Sequence, residues 1–334
     1  MRTFRRDAIV RLAAAGIILV LSPFAGSAEP QIVSVTRIWD QAEHSAFTDL
    51  IRFENRWWCT FREAKDHGSS IGKVRLITSM DGDRWESAAL MEQDGVDLRD
   101  PKLSIMPDGR LMLIMGGIVN DADGRYSTRV PRVSFSTNGR DWTPPRKLLA
   151  EDHWLWRVTW QGDWGWSVSK LGEGSDPRRG MLYRTRDGLE WEWITEFRLP
   201  DNTWNASETT LRFLPDGEMV ALVRPQWIGT SQPPYTSWSW TKLKEKIGGP
   251  NFIRLPNGQL WASGRRYGDQ ARTVLARMTR DTYEPVLTLP SGGDCSYPGM
   301  VWHDGLLWMS YYSSHEDRTS IYLAKIRLPD DVPE

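Results

Sequence analysis

A short alternating strand, a tight polar turn and a second strand recur six times between residues 49 and 313, and nothing else in this chain restricts its fold as strongly. The openings read DLIRFENRWWCTFR from Asp49, DPKLSIMPDGRLMLIMGG from Asp100, RVTWQGDWGWSVSK from Arg157, ETTLRFLPDGEMVALVR from Glu208, NFIRLPNGQLWASGR from Asn251 and YPGMVWHDGLLWMSYYS from Tyr297. They are separated by steps of 51, 57, 51, 43 and 46 residues. Asp-Gly or Asn-Gly between alternating apolar runs is the strongest short-range hairpin signal. A period of 40 to 50 residues with four strands per unit is the signature of a propeller.

Each hairpin is followed by a second pair of short strands. In three units that pair shares a turn: Ser79 to Trp85, Ser136 to Trp142 and Thr185 to Trp191. Asp or Asn caps such a turn, Gly takes positive φ, and Trp packs beneath it. Ser231 to Trp238 reads as a remnant of the same turn. The sixth unit ends early, after Thr319–Leu328, so Ile32–Trp39 is expected to supply its outer strand. The sequence therefore predicts an all-β, six-bladed β-propeller of four-stranded antiparallel blades, closed by the N-terminal strand. A two-sheet sandwich or another blade number is the competing expectation. No segment carries a long helical period.

Topology then locates the chemistry. The start of the first strand, the end of the second and the loop from second to third share one end of each blade. The Asp-Gly turns and the three Trp-backed turns share the other, so the latter are expected to be structural. The functional end collects Asp49, Asp100, Arg157, Glu208, Asn251 and Tyr297 from strand starts, and Arg62, Lys170, Arg224 and Arg265 from strand ends. The loop after Arg62 adds Glu63, Lys65, Asp66 and His67, and the last unit adds His315. Charges around a narrow axis are desolvated and need partners. Several Arg facing a cavity suit an anionic ligand, a carboxylate above all.

The three Trp-backed turns resemble the Asp box of sialidases, and the whole pattern resembles the sialidase-like propeller superfamily. Glu208 to Arg224 is similar to the segment that carries the catalytic Glu and a triad arginine. Tyr297 onward is similar to the segment of the tyrosine nucleophile. The resemblance implies a nucleophile Tyr297 activated by Glu208, an acid at Asp66 with Asp49 and Asp100 as alternatives, and a carboxylate held by Arg62, Arg224 and Arg265. Asp49, Asp100, Arg157 and Asn251 are expected to contribute further substrate contacts. A phenol with a pKa near 10 needs a neighbouring carboxylate to take its proton, and sialidases are the exception among glycosidases in using one. Where the family opens its first blade with Arg-Ile-Pro, this chain has Phe47-Thr48-Asp49.

The first 28 residues read as a leader. Arg2, Arg5 and Arg6 precede an apolar stretch from Ala8 to Phe24, and Ala25–Ala28 offers small residues for cleavage. Arg5-Arg6 resembles a twin-arginine signal. These features predict export, and a single domain over residues 29–334. Losing the leader removes four Arg and one Asp, so a formal charge of −1 becomes −4. With no basic excess a nucleic-acid partner is not expected, and no second apolar span argues for stable membrane insertion. Cys59 and Cys295 are the only cysteines, and two small buried residues are the favoured reading over a bridge. No cofactor is expected, and no metal, because His67 and His315 belong to no His-x-His or Cys cluster. Glycan or polysaccharide is the expected partner. The leading expectation is hydrolysis of a terminal anionic sugar. A glycosidase or lyase on a uronate-bearing polysaccharide and a non-catalytic carbohydrate-binding propeller are the alternatives.

Overall fold

A computed structural model describes residues 29–68, 71–121, 126–172, 179–200 and 206–329. The predicted leader lies outside the described residues. Six antiparallel sheets follow one another along the chain. Blade 1 comprises His44–Phe53, Arg56–Ala64, Lys73–Ser79 and Glu86–Met91. Blade 2 comprises Val96–Ile105, Leu111–Asn120, Tyr126–Ser136 and Arg146–Lys147. Blade 4 (Thr209–Phe213 to Ser239–Lys242) and blade 5 (Ile247–Arg254 to Tyr283–Thr288) have the same four-stranded order. In blade 3 the innermost strand is broken into His153–Leu155 and Thr159–Gln161, both paired to Trp164–Leu171.

Blade 6 joins the two ends of the fold. Its inner strands are Cys295–His303, Leu306–Ser313 and Ser320–Arg327, and its outer strand is Gln31–Trp39. The pairing runs from Gln31 opposite Arg327 to Trp39 opposite Ile321, so the expected closure is present. The second strands are buried on both faces, since each blade is sandwiched between two others. That is why Leu111–Met115 and Met219–Val223 read as unbroken apolar runs.

The Trp-backed turns serve this packing. In blade 1, Asp81 Oδ1 accepts the backbone N–H groups of Asp83 (2.9 Å) and Arg84 (3.0 Å). Asn138 does the same for Arg140 and Asp141, both at 2.9 Å. The turn glycines press against the preceding blade, and a Cβ at Gly139 would lie 2.4 Å from Trp58. The remnant in blade 4 keeps the Trp238 Nε1 bond to Tyr235 O, at 3.0 Å. Blade 5 keeps the hydroxyl bond of this turn without its Gly or Trp: Thr279 Oγ1 accepts the N–H of Thr282 at 3.0 Å. Ser79 pairs with Trp57, near the first hairpin turn, while Arg62 pairs with Val74 at the other end. These turns thus lie on the face away from the strand starts.

One irregularity of the inner strands positions everything that follows. In four blades, two inner-strand residues oppose a single partner: Phe47-Thr48, Asp100-Pro101, Gly249-Pro250 and Tyr297-Pro298. This is a β-bulge at one register, and its first residue has φ of 65°, 51°, 56° and 53° respectively. Three of the four second residues are Pro, which has no N–H to lose from the ladder.

Candidate functional site

The bulge separates two sets of side chains. Three of its first residues, Phe47, Asp100 and Tyr297, line a cavity of about 310 Å³ at the strand-start face, together with Glu208 among others. Asp49, Lys102, Arg157 and Asn251 lie deeper, on the channel side of the bulge, and are nearly or wholly buried.

The deeper set corrects part of the expectation. Arg157 Nη1 donates to Asp49 Oδ1 at 2.6 Å, and Asp49 Oδ2 accepts the N–H of Leu103 at 2.8 Å. Asn251 bridges Pro298 O at 2.9 Å and the Arg212 guanidinium at 3.2 Å. Lys102 Nζ donates to Pro101 O at 3.0 Å, and burial, reinforced by Arg157, pushes its ammonium down to about 8. Asp49 and Arg157 therefore pair with each other and Asn251 bonds Arg212 and Pro298 O beside them, as a plug in the channel, and none of the three lines the cavity. The sequence placed them by strand start alone; the bulge moves Asp49 and Asn251 below the pocket floor, and the break in the inner strand of blade 3 does the same for Arg157.

Arg62 and Asp66 also depart from expectation. Arg62 is fully buried, with Nε on Asp97 Oδ1 at 2.7 Å and Nη1 on the backbone oxygen of Asp66 at 2.7 Å. Asp66 Oδ1 accepts the N–H of Gly68 at 2.9 Å. Neither side chain is part of the cavity lining; the loop presents His67 there instead. An aspartate two residues before a glycine caps its own turn more readily than it reaches outward.

Five residues expected to act on or bind the substrate do converge. Tyr297 Oη donates to Glu208 Oε1 at 2.7 Å, and Arg224 Nη1 contacts the same carboxylate oxygen at 2.5 Å and Tyr297 Oη at 3.2 Å. Gly249 N donates to Glu208 Oε2 at 3.0 Å. Burial alone would raise the Glu208 pKa, but Arg224, the Tyr297 hydroxyl and Lys170 outweigh it, so the group is a carboxylate held below its ordinary range. Burial, with Glu208 adding to it, holds the Tyr297 phenol well above 10. Arg265 flanks the tyrosine, 5.8 Å from its ring centre, and is gripped by Cys295 O (2.8 Å), Asp294 Oδ1 (3.0 Å) and Tyr312 Oη (2.8 Å). Asp100 completes the group. Its side chain is 10% exposed, its pKa is raised by burial against the pull of Arg99 and Lys102, and its Oδ1 has no hydrogen-bond partner among the described residues.

Several lining residues were not anticipated. Arg99 sits over the Phe47 ring at 4.9 Å and donates to His67 O at 3.0 Å. Arg129 donates to Asp152 O and Gly172 O, and lies 5.9 Å from the centre of the Trp154 ring. Both Arg129 and Trp154 come from strands whose starts the repeat did not mark. Arg99, Arg129, Lys170, Arg224 and Arg265 give the cavity five cationic side chains around the carboxyl groups of Asp100 and Glu208. His315 lies in a separate depression beside Arg272. Cys59 and Cys295 are buried and unbridged.

No protein-family profile and no curated protein matches the chain. Solved structures do. The chain is similar to a protein of unknown function from Dyadobacter fermentans (TM-score 0.78, 17% identity, 90% of this chain and 99% of that one). It is similar to the sialidase of Trypanosoma rangeli (TM-score 0.66, 11% identity), covering 91% of this chain and 60% of the sialidase. An α-L-arabinofuranosidase from Fusarium graminearum, solved with an iminosugar inhibitor, is another (TM-score 0.70, 12% identity, 89% and 98%). The likeness is one of fold. Two of these three proteins are glycosidases built on the same kind of scaffold, and at such identities the chemistry has to be argued from the site. Among the described residues no helix is long and apolar enough to cross a membrane.

Proposed function

We propose that this chain is an exported glycosidase that cleaves a terminal anionic sugar through a tyrosine nucleophile. The observation that carries it is the Tyr297–Glu208 hydrogen bond of 2.7 Å inside the cationic pocket. Tyr297 is protonated at rest and Glu208 is not, so attack moves the phenolic proton to Glu208 as the Oη–anomeric carbon bond forms. The arginine at 2.5 Å from Glu208 balances the shifting charge. Asp100, among the three aspartates considered, is the acid of this reading. A carboxyl whose pKa burial raises retains the proton that the leaving oxygen needs. In the second half-reaction Asp100 takes a proton from water, the water oxygen bonds to the anomeric carbon, and the tyrosyl bond breaks as Glu208 returns its proton to Tyr297 Oη. Arg224 and Arg265 face the position of a substrate carboxylate, with Arg99, Arg129 and Lys170 around it.

Sialosides and uronate-bearing glycans offered as aryl glycosides test the reading. On whichever is cleaved, Glu208→Gln should lose about 10²–10⁴-fold in rate while remaining folded, and Tyr297→Phe should lose as much. A second reading has one observation in its favour: opposite pKa shifts of Asp100 and Glu208 are what a two-carboxylate glycosidase requires. A Tyr297→Phe protein of full activity would select that mechanism and remove the tyrosine from the first.

A further inference from the structure

Beside the pocket, three metal-binding side chains from distant parts of the chain meet. His44 opens the inner strand of blade 1, His67 lies in the loop after the second strand of that blade, and Asp294 lies in the connection entering blade 6. His44 Nε2 is 3.0 Å and His67 Nδ1 2.6 Å from the same oxygen, Asp294 Oδ2, and all three donor atoms lie within 4.8 Å of one another. We propose that these residues form a binding site for a divalent transition-metal ion, with Zn²⁺ the best match.

The donor set carries the assignment. Two imidazole nitrogens and one carboxylate oxygen suit Zn²⁺ and its neighbours, whereas Mg²⁺ and Ca²⁺ call for oxygen ligands throughout. With metal–ligand bonds of about 2.0–2.1 Å, a tetrahedral site needs donor atoms about 3.3 Å apart. The present spacings are shorter by about 0.3 and 0.7 Å. His67 can supply the adjustment, since its side chain is 54% exposed, while its backbone oxygen stays anchored to Arg99 of blade 2. The carboxylate is already oriented from behind. Its other oxygen, Oδ1, accepts Tyr312 Oη at 2.8 Å and Arg265 Nη2 at 3.0 Å, the kind of outer support that metal ligands have. His44 is fixed deep in the wall, with Nδ1 buried and unpartnered among the described residues, so what sits at Nε2 is its polar anchor. Because His67 also lines the cavity, the remaining coordination position is open to water or to an oxygen of a bound sugar. The ion would tie the 65–68 loop to blade 6 and hold Asp294, the partner of Arg265, in place.

The test is independent of any glycosidase activity. Tag-free, full-length protein is stripped with EDTA, dialysed, and reloaded with Zn²⁺, Ni²⁺, Mg²⁺ or Ca²⁺ in separate arms. Metal content by mass spectrometry and melting temperature are then measured. One Zn²⁺ per chain is expected, with a melting point several degrees higher than in the stripped protein and no gain from Mg²⁺ or Ca²⁺. Loss of an outer partner alone costs 10- to 100-fold in affinity, so His67→Gln should weaken Zn²⁺ binding at least about tenfold. His44→Gln should do the same, and the exposed His67 variant decides the matter if the buried one does not fold. Well below one Zn²⁺ per chain with no change in melting point would overturn the site, as would equal binding by His67→Gln. Those results would leave a hydrogen-bonded cluster in which both imidazoles donate to Asp294.

Discussion

Gly249→Ala should separate folding from chemistry in this molecule. Gly249 occupies the bulge position of blade 5, equivalent to Tyr297 in blade 6, with φ of +56°. An added Cβ would stand 2.5, 2.7 and 2.8 Å from Cδ2, Cγ and Cε2 of the Tyr297 ring. Carbon atoms in contact sit about 3.5–4.0 Å apart, so the ring must retreat by about 1 Å. The 2.7 Å bond from Tyr297 to Glu208 would lengthen to about 3.7 Å, beyond hydrogen-bond reach. A 1 Å misplacement of a reacting group costs about 10²-fold in rate. The positive φ adds a stability cost of about 1–2 kcal/mol. The assay is kcat/KM on the cleaved aryl glycoside, with a melting curve alongside. Gly258→Ala is the control: it has φ of +95° in the far-face turn of the same blade, with nothing within 4 Å of the new Cβ. It should lose comparable stability and keep its rate. A folded Gly249→Ala protein with wild-type kcat/KM would refute the role given to the Tyr297–Glu208 contact.

Three further outcomes follow from the same structure. Asp100→Asn should abolish most activity yet raise the melting point at neutral pH. Asp100's folded pKa is raised, so the stability linked to its titration is present at acid pH and lost as pH climbs through that pKa; the amide removes this cost, and a lower melting point would contradict it. The turn of blade 1 should weaken in acid. Asp81's pKa is lowered to about 2 by the N–H groups of Arg84 and Asp83 and the Ser79 hydroxyl, so its contribution is complete above about 3.8 and lost as pH falls toward 2. In blade 2 the capping side chain is the amide of Asn138, and Asn138→Ala should cost about 0.5–2 kcal/mol at neutral pH without loss of activity, as read by denaturant melts and rate assays. Arg157→Met strands Asp49 in the plug and should cost about 3–5 kcal/mol; a change in denaturation midpoint equivalent to less than 1 kcal/mol would show that the pair is not holding the channel shut.

The blades were legible because each hairpin turn is written in local sequence, and the ring closure because the sixth unit is one strand short. Glu208, Tyr297, Arg224 and Arg265 were legible because they recur at fixed offsets from those turns. The register of Asp49 and Asn251 was not, since a bulge shifts side chains without changing the apolar alternation further along, and that of Arg157 was not, since the inner strand of blade 3 breaks there. The prolines at 101, 250 and 298 were the available sign of it. The His44–His67–Asp294 cluster escaped for another reason. Its members are separated by as many as 250 residues and come together only when blade 6 meets blade 1, which no local spacing can express.

That meeting of blades sets the order of events in assembly. Gln31 pairs with Arg327, a contact spanning nearly the whole described chain, and loop-closure entropy has to be met before such a distant pairing contributes anything. Blades 1 to 5 can each form from contiguous sequence, while blade 6 waits until its last strand has left the ribosome. Until then the outer strand has a bare edge and the pocket lacks Tyr297. A circular permutant opened between blades 3 and 4 would make every strand of blade 6 contiguous, and it should refold faster than the natural chain order while ending in the same ring.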